Sequence, residues 1–257
     1  MQTKKKKRRL KRKVKIFLGG FACLAIVLCM VLFISRFLKD PEEALPAPEV
    51  ETIATLCIDP GHGGYDSGTI GADGAMEKDI NLEIALQIGK QITKKEPRIK
   101  VVYTRTSDEV TWPEEEVKDL EARVKFAEEQ NADYYLSVHM NSNNSPSVYG
   151  YEFYIKENDS FSRAVTRKIV KNLDEAEWHY HRGTMNVEEY PLYVVTESKI
   201  PAMLFEAGFM SNYSECTELQ QTKNQKIIAK GVAQAYIDQI LKDKLPDEDK
   251  ETKKEEE

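Results

Sequence analysis

The chain has 257 residues, and its formal net charge of −6 hides an uneven distribution of charged residues. Residues 1–39 hold 12 of the 37 Lys/Arg and none of the 43 Asp/Glu, so residues 40–257 combine 25 cations with 43 acids, a net charge of −18. Such an acidic region is a poor candidate for binding nucleic acid, because phosphate contacts need clustered cations. We therefore expect no nucleic-acid partner.

The N-terminal part of the chain has the pattern of a membrane anchor. Residues 1–15 contain ten Lys/Arg and no acid, and the 20 residues of 16–35 carry no charge. That length is enough to cross a bilayer as a helix. The apolar part of a cleaved secretory signal, the alternative, is shorter, at about 7–15 residues. Since basic flanks stay in the cytoplasm, the pattern predicts a cytoplasmic polybasic segment over 1–15 and a transmembrane signal anchor over 16–35, with the remainder outside.

The rest of the chain is expected to form one domain between two irregular segments. Residues 36–51 are rich in proline and acid and predict an extended linker. Residues 52–242 suit a single domain, and residues 243–257 are almost all charged, which predicts a disordered tail. Within the domain, Cys57 and Cys216 are read as packed thiols, although the sequence leaves a bridge between them open.

Apolar periodicity inside the domain predicts alternating strands and helices. In chain order, the predicted strands are Ile53–Asp59, Lys100–Thr104, Tyr134–His139, Tyr149–Ile155, Leu192–Thr196 and Met203–Ala207, and the predicted helices are Lys78–Lys95, Asp119–Asn131, Phe161–Asn172 and Gln225–Leu241. This alternation predicts an α/β fold: a single domain with a mostly parallel central sheet flanked by helices, preceded by one transmembrane helix.

Four residues of this domain stand in distinctive motifs. They are His62 in IDPGHGG, Glu77 in MEKD, His139 in LSVHMNS and Glu206 in LFEAGF. The two histidines and Glu206 lie at or just after the C-terminal ends of predicted strands, and Glu77 precedes the first predicted helix. Ligands of open α/β sheets gather beyond the carboxyl ends of the strands. We therefore expect all four side chains to converge at one edge of the sheet.

The residue types suit metal-assisted hydrolysis. Two imidazoles and one carboxylate make a zinc site with an open position, the catalytic kind, and a further glutamate can then move protons. Taken singly, His62 could satisfy a turn, His139 could be a core histidine, and Glu77 could be favoured by the helix dipole. Burying Glu206 beside Phe205 costs energy unless the carboxylate has a partner or a role.

Between Ile53 and Leu241 the motifs resemble, in order, those of the zinc-dependent N-acetylmuramoyl-L-alanine amidases, the amidase 3 family of cell-wall hydrolases. The resemblance implies that His62, Glu77 and His139 bind Zn²⁺ and that Glu206 is the catalytic acid/base. It implies hydrolysis of the amide between N-acetylmuramic acid and the L-alanine of the stem peptide, with peptidoglycan as substrate. With the predicted anchor, it places the protein in the cell membrane, with the catalytic domain facing the wall. Other matching residues are Asp66, Gly68, Gly71, Arg123 and the run Gly208-Phe209-Met210-Ser211-Asn212. Met140, Ser142 and Ala207 differ from the residues common at these positions in the family, and none of them is a predicted ligand.

Two other functions share these features. One is a zinc peptidase or deacetylase with another substrate, and the other is a wall-binding scaffold with a degenerate metal site. Some members of the family carry a helix after the second histidine that covers the metal. Here residues 140–150 are short and rich in Asn, Ser and Pro, so we expect no such helix. The sequence carries no sign of an oligomeric state.

Several polar residues near the motifs remain without a metal-binding role. His179 and His181 are read as exposed loop residues or substrate contacts, because they lie outside the motifs. Arg105 and Arg123 have no assignment. Asn141, two residues after His139, is expected to orient a metal ligand.

Overall fold

The computed structural model describes residues 27–31, 33 and 50–245. Residues 27–31 and 33, which fall within the predicted anchor, are helical. Among the described residues, no helix combines the length and the apolar composition needed to cross a membrane. The remainder of the predicted anchor, the segment 1–15, the linker up to residue 49 and the tail from residue 246 lie outside the described residues.

Residues 50–245 alternate between strands and helices, as the periodicity predicts. The strands are β1 (Ala54–Pro60), β2 (Ile99–Tyr103), β3 (Tyr134–Asn141), β4 (Tyr151–Ile155), β5 (His181–Asn186) and β6 (Ala202–Phe209). The helices are α1 (Glu77–Lys95), α2 (Glu116–Glu129), α3 (Ser160–Glu175), α4 (Tyr193–Thr196), α5 (Tyr213–Leu219) and α6 (Thr222–Lys244).

The six strands form one sheet in the order β2-β1-β3-β6-β4-β5. Every neighbouring pair is parallel except β4 with β6, which is antiparallel. The prediction of a mostly parallel central sheet flanked by helices is therefore confirmed. The single antiparallel junction places β4 directly beside the strand that carries Glu206.

The two faces of the sheet are covered unequally. On one face, α1, α3 and α6 pack against a large apolar cluster, to which α1 contributes Ile80, Ile84, Ile88 and Ile92 at a spacing of four residues. On the other face, α2 and α4 cover a smaller cluster around Cys57 and Tyr135. Alternate residues of a strand point to opposite faces, so the side chains of Ser137 and His139 share this second, less covered face.

Three parts of the secondary structure differ from the sequence prediction. The predicted strand Leu192–Thr196 is wrong: the run forms the short helix α4, because a short apolar run has no period that separates strand from helix. The strand β5 was not predicted, since the residues HRGTMN carry no apolar alternation. The helix α5 was not predicted either, although Asn212 caps it by accepting a hydrogen bond from the Glu215 amide at 3.1 Å.

The last helix continues past the predicted end of the domain at residue 242. α6 includes Asp243 and Lys244, which were assigned to the tail. The Tyr134 hydroxyl donates to Asp243 at 2.5 Å, and the Lys244 ammonium pairs with Asp133 at 2.7 Å. These contacts attach the end of α6 to the start of β3.

The two cysteines of the domain are free thiols, as expected. Cys57 and Cys216 are both buried and neither forms a disulfide. Cys57 belongs to the smaller apolar cluster and Cys216 to the larger one. A bridge between them is excluded because the sheet lies between the two clusters.

Candidate metal centre and active site

The first histidine lies in a tight turn directly after β1. His62 has a φ of 61°, and the next two residues, Gly63 and Gly64, have φ values of 127° and 57°. A left-handed conformation is unusual for a residue with a Cβ atom, so the turn holds the His62 side chain at some energetic cost. Gly61 is required for another reason, since a Cβ atom there would lie 2.1 Å from Nε2 of His139.

The two histidines and Glu77 meet at one point, as the motifs predict. Nε2 of His62 and Nδ1 of His139 each lie 3.1 Å from Oε1 of Glu77. The imidazole rings stand edge to face with centroids 4.8 Å apart. The three candidate ligand atoms all lie within 4.8 Å of one another, and this is the metal-binding group found among the described residues.

The carboxylate of Glu77 is held by several further donors. Its Oε1 accepts from the Met140 amide at 3.1 Å and from Nδ2 of Asn81 at 3.2 Å, and its Oε2 accepts from the Thr69 amide at 2.9 Å. Burial alone would raise the pKa of Glu77, but hydrogen bonds and charge from His139 and His62 outweigh burial and bring the pKa far below its ordinary value. Glu77 is therefore held as an anion.

Asp66 orients the first histidine. Its Oδ2 lies 2.6 Å from Nδ1 of His62, so that Nδ1 is the donor and Nε2 faces the other two residues of the centre. Burial lowers the pKa of His62, but Glu77 and Asp66 outweigh it and raise the pKa to about 8. A carboxylate behind a ligating histidine fixes the tautomer and strengthens the ligand. The family resemblance includes Asp66 but implies no role for it. The sequence feature that could have indicated this role is its spacing of four residues from His62.

Arg123, which has no role in the sequence prediction, stabilises the turn at His62 through hydrogen bonds. It is 3% exposed; its Nη1 donates to Asp59 at 2.8 Å and its Nη2 to the His62 carbonyl at 2.9 Å. Its Nε also donates to Asp119 at 2.5 Å. Burial would raise the pKa of Asp59, but the charge of Arg123 together with the hydrogen bond from Thr104 and smaller contributions outweighs burial and lowers the pKa to about 2.

Arg105 holds the same turn from a second side. Its Nε donates to the Pro60 carbonyl at 3.0 Å, and its Nη2 donates to the carbonyls of Gly61 at 2.9 Å and Lys78 at 2.8 Å. Burial and the neighbouring Arg123 lower the pKa of Arg105 to about 10. The two guanidinium groups tie β1, the turn and the start of α1 together, which keeps His62 and Glu77 in register.

Glu206 lies beside this centre on the neighbouring strand. It pairs with His139 in the parallel register of β3 with β6, so the two side chains are on the same face of the sheet. Its Oε2 atom is buried and has no hydrogen-bond partner among the described residues. Burial raises the pKa of Glu206 well above its ordinary value, and Glu77 and Glu152 raise it further.

A second carboxylate, Glu152, lies directly across from Glu206 in the antiparallel pair of β4 with β6. Its Oε1 accepts from Asn141 and from the Tyr154 hydroxyl, the latter at 3.1 Å, and its Oε2 lies 3.4 Å from Nε of Arg182. The expectation that Asn141 orients a metal ligand is therefore wrong, because its amide binds Glu152 instead. The sequence feature that could have indicated Glu152 is its position as the single acid inside the apolar run YEFYI.

The remaining two histidines take no part in the centre. His179 lies between two carboxylates, with Nδ1 at 2.6 Å from Glu215 and Nε2 at 2.6 Å from Glu218. His181 begins β5 and stacks on Tyr151. Neither is an exposed loop residue, so that part of the prediction is wrong. The carboxylate of Glu215 also accepts from the backbone amides of Gly150 and Phe209, which joins the start of β4 to the end of β6.

The centre opens into a cleft of about 750 Å³ on the less covered face of the sheet. Its walls include Tyr65, Leu120, Leu192 and Tyr193 beside the two histidines of the centre. Residues 142–150, between β3 and β4, form no helix, as predicted. Within the described part of the chain, the centre is therefore not covered by an inserted helix at this position.

Comparisons with known proteins agree with this geometry. The family described as N-acetylmuramoyl-L-alanine amidase matches residues 56–238. The N-acetylmuramoyl-L-alanine amidase LytC of Bacillus subtilis is 33% identical over 169 residues, which cover 65% of this chain but only 32% of that protein. The germination-specific N-acetylmuramoyl-L-alanine amidase of the same organism is 30% identical over 193 residues, covering 71% of this chain and 78% of that protein.

Solved structures show the same similarity. The catalytic domain of CwlV, an N-acetylmuramoyl-L-alanine amidase from Bacillus (Paenibacillus) polymyxa, superposes with a TM-score of 0.63 at 31% identity, over 72% of this chain and 98% of that one. The CwlD amidase from Clostridioides difficile, solved in complex with the GerS lipoprotein, superposes with a TM-score of 0.65 at 26% identity, over 73% of this chain and 98% of that one. With the matched family spanning most of the chain, this protein belongs to the N-acetylmuramoyl-L-alanine amidase family.

Proposed function

We propose that this protein is a zinc-dependent peptidoglycan hydrolase. It cleaves the amide between N-acetylmuramic acid and the L-alanine of the stem peptide. His62, Glu77 and His139 hold the Zn²⁺ ion, and Glu206 is the general acid/base. The family and the named activities of its members support the reaction.

The observation that carries the proposal is the convergence of one atom from each of His62, Glu77 and His139 within 4.8 Å. Neutral imidazole and carboxylate are ligands that zinc prefers, and three protein ligands leave a position for water or substrate. Asp66 behind His62 and the backbone amides around Glu77 supply the supporting contacts that such ligands need. When bound there, zinc would polarise the scissile carbonyl and lower the pKa of water.

Two observations support Glu206 as the residue that transfers protons in the proposed reaction. It pairs with His139 in the sheet, and its Oε2 has no partner among the described residues, so the oxygen is available to a reacting group. In the proposed reaction its carboxylate accepts a proton from the attacking water. It then gives that proton to the departing L-alanine nitrogen, which is a poor leaving group unless protonated. The burial of Glu206 and the charge of the nearby Glu77 both raise the pKa of Glu206, which favours holding the proton between these steps.

The test is digestion of purified peptidoglycan by the full-length protein in detergent with added zinc, followed by mass spectrometry of the products. We expect a free L-alanine amine and a free lactyl carboxyl group on the sugar. A chelator should abolish the cleavage and zinc should restore it. Cleavage between amino acids, or loss of acetyl groups, would instead identify a zinc peptidase or deacetylase.

We also infer that the chain is a single-pass membrane protein of the cell membrane, with the catalytic domain of residues 52–242 facing the wall. The ten cations of residues 1–15 and the uncharged run 16–35 support this topology. Protease added to intact spheroplasts should remove the domain. A domain that is protected in intact spheroplasts and cut only after lysis would contradict the topology.

A further inference from the structure

Beyond Glu206, the active-site face continues across two more strands. Glu206 on β6 is paired with Glu152 on β4, and β4 is paired with β5. The pairing of β4 with β5 shifts between Tyr151 and Glu152, because Tyr151 is opposite His181 and Glu152 is opposite Gly183. The extra residue in this bulge is Arg182. Bulges re-aim a side chain next to active sites.

The bulge sends the Arg182 side chain back over β4 and β6. Its Nε lies 3.4 Å from Oε2 of Glu152, its Nη1 donates to the Tyr149 carbonyl at 3.3 Å, and its guanidinium lies over the Phe209 ring at 5.1 Å from the centroid. The side chain is still 33% exposed. Among the described residues, its Nη2 takes part in no hydrogen bond. The guanidinium is thus held in one orientation with part of its surface open to a ligand.

The position of the acid/base sets the direction of the substrate. Glu206 must reach the amide nitrogen, so the peptide that follows this nitrogen extends on the Glu206 side of the metal centre. In the proposed reaction the sugar then extends to the other side of the centre, where Tyr65 and Tyr193 line the cleft. Arg182 therefore lies on the peptide side.

The distances suit the second residue of the stem peptide. Phe209 is three residues beyond Glu206 on β6, but the strand bulges here, because Glu206 is opposite His139 and Phe209 is opposite Asn141. The two residues are therefore about two strand positions apart, roughly 7 Å at a rise of about 3.3 Å per residue. In an extended stem peptide, the α-carboxyl group of the second residue is roughly 7–9 Å from the scissile carbonyl. A carboxylate at that point of the substrate reaches the open side of Arg182.

We propose that Arg182 binds the free α-carboxylate of the second stem residue and makes the enzyme selective for stems in which that group is not amidated. This rests on the proposed amidase function. A planar guanidinium matches a carboxylate in geometry. A fixed cation is also notable in a region whose net charge is −18, with Glu152 and Glu206 beside it. Without the positive charge of Arg182, the α-carboxylate of the substrate would lie beside Glu152 and Glu206 and be repelled.

The test uses two soluble substrates that differ only at this group: N-acetylmuramoyl-L-alanyl-D-glutamate and the same compound with its α-carboxyl group as a carboxamide. The full-length protein with zinc should cleave the carboxylate form with a kcat/KM roughly 10- to 100-fold higher, as expected for a hydrogen bond between charged groups. The difference should lie mainly in KM, because the group is remote from the reacting atoms. The preference should weaken at high salt.

Three variants separate recognition from folding. Arg182→Gln should lose the preference, by losing activity on the carboxylate form and little on the carboxamide form. Arg182→Lys, which keeps the charge but not the fork, should keep part of it. Arg167→Gln removes an exposed arginine from α3, on the other face of the sheet, and should leave both activities unchanged. A folding defect lowers both activities together and cannot change their ratio.

The proposal is overturned if the wild type cleaves both substrates equally well, or if Arg182→Gln lowers both by the same factor. Wild type that binds zinc but cleaves neither substrate nor peptidoglycan overturns the amidase function itself, and the recognition proposal with it. A preference that persists in Arg182→Gln assigns the carboxylate to another residue and overturns the role of Arg182.

Discussion

Glu77 and Glu206 belong to one site, yet their surroundings are opposite. Glu77 accepts hydrogen bonds from two backbone amides and a side-chain amide and lies against both histidines. Glu206 has a buried oxygen with no partner among the described residues and two carboxylates as neighbours. The pKa of Glu77 is shifted far down and that of Glu206 far up.

This contrast supports the two proposed roles without reference to any relative. Neighbouring carboxyl groups whose environments move their pKa values apart are suited to different tasks in one reaction. A carboxylate that is surrounded by donors stays ionised and can bind a cation. A carboxylate that lacks donors has a raised pKa and so accepts a proton readily. The first region is built from β1, its turn and α1, and the second from β6 and β4.

The contrast is tested most directly by changing each glutamate to glutamine. Glu206→Gln should lower activity by about 10²–10⁴-fold, the usual contribution of a general acid/base, while bound zinc stays near the wild-type level. Glu77→Gln should lose both zinc and activity, since two histidines alone rarely hold zinc tightly. Bound metal is measured by elemental analysis and activity on muropeptides. Loss of zinc in Glu206→Gln, or full zinc in Glu77→Gln, would contradict the division of roles.

The support beneath the Glu77 region is tested by Arg123→Leu. The variant removes the cation that pairs with the Asp59 carboxylate, and Asp59 is 0% exposed. Breaking such a buried pair costs about 3–5 kcal/mol of unfolding free energy. The free energy of unfolding is measured by denaturant titration at pH 7.

The matched control is Arg98→Leu. Arg98 pairs with Glu96 at 2.7 Å, but its side chain is 40% exposed, so the change should cost far less stability than Arg123→Leu. Equal losses in the two variants would show that Arg123 is not a special support of the turn.

Gly68→Ala tests whether the backbone must pass close to the side chains of His62 and Glu77. A Cβ atom at Gly68 would lie 2.6 Å from Cδ2 of His62 and 2.7 Å from Oε2 of Glu77. We expect zinc affinity to fall by about 10- to 100-fold, as for other changes that displace ligands. Competition with a chromophoric chelator measures the affinity.

Gly74→Ala is the control for this substitution. Gly74 also has a positive φ, 87°, but a Cβ atom there meets nothing within 4 Å. It carries the same kind of backbone strain, about 1 kcal/mol or more, without the clash. Zinc affinity should therefore be normal in Gly74→Ala, and a loss in both variants would assign the effect to strain alone.

The smallest effect concerns the Glu206 region, where Glu215 joins β4 to β6. The hydrogen bond and charge of Glu215, then the charge of Glu218, outweigh burial and raise the pKa of His179 above 6.5. This pair should stabilise the fold fully below about pH 6.5, and the stabilisation should disappear as pH rises through the pKa of His179 in the folded protein. The difference in unfolding free energy between wild type and His179→Gln should be about 1–2 kcal/mol at low pH and shrink as pH rises.

His181→Gln is the control, with the opposite sign. Burial lowers the pKa of His181 below 6.5, so wild type should lose stability relative to this variant as pH falls. Parallel pH profiles for the two variants would contradict the assignment of charge on His179.

The sequence was sufficient to predict which motif residues come together, and less so for the residues that support them. His62, Glu77, His139 and Glu206 were found because each sits in a motif at a strand or helix end, and the sheet brings such ends together. The roles of Arg105 could not be found, because its partners are carbonyl groups about 27–45 residues away in the chain. No side-chain pattern marks a carbonyl that needs a donor.

The elements that were missed lie at the edge of the sheet or are very short. β5 is an edge strand with one neighbour, and half-exposed strands of this kind need no apolar alternation. The run Leu192–Thr196 has the β-branched composition of a strand, but it packs against α2 and over β6 without pairing with a strand, and tertiary contacts override such a weak preference. Asn141 was assigned by proximity in sequence, whereas its partner Glu152 is on the next strand.

The left-handed backbone at His62 has a consequence for engineering this domain. A side chain at a φ of 61° costs about 1–2 kcal/mol of stability relative to glycine at the same position. A screen for thermal stability in the absence of metal would therefore favour glycine or asparagine at position 62 and return a sturdier protein that has lost a ligand. Selection for zinc retention as well as melting temperature avoids this outcome.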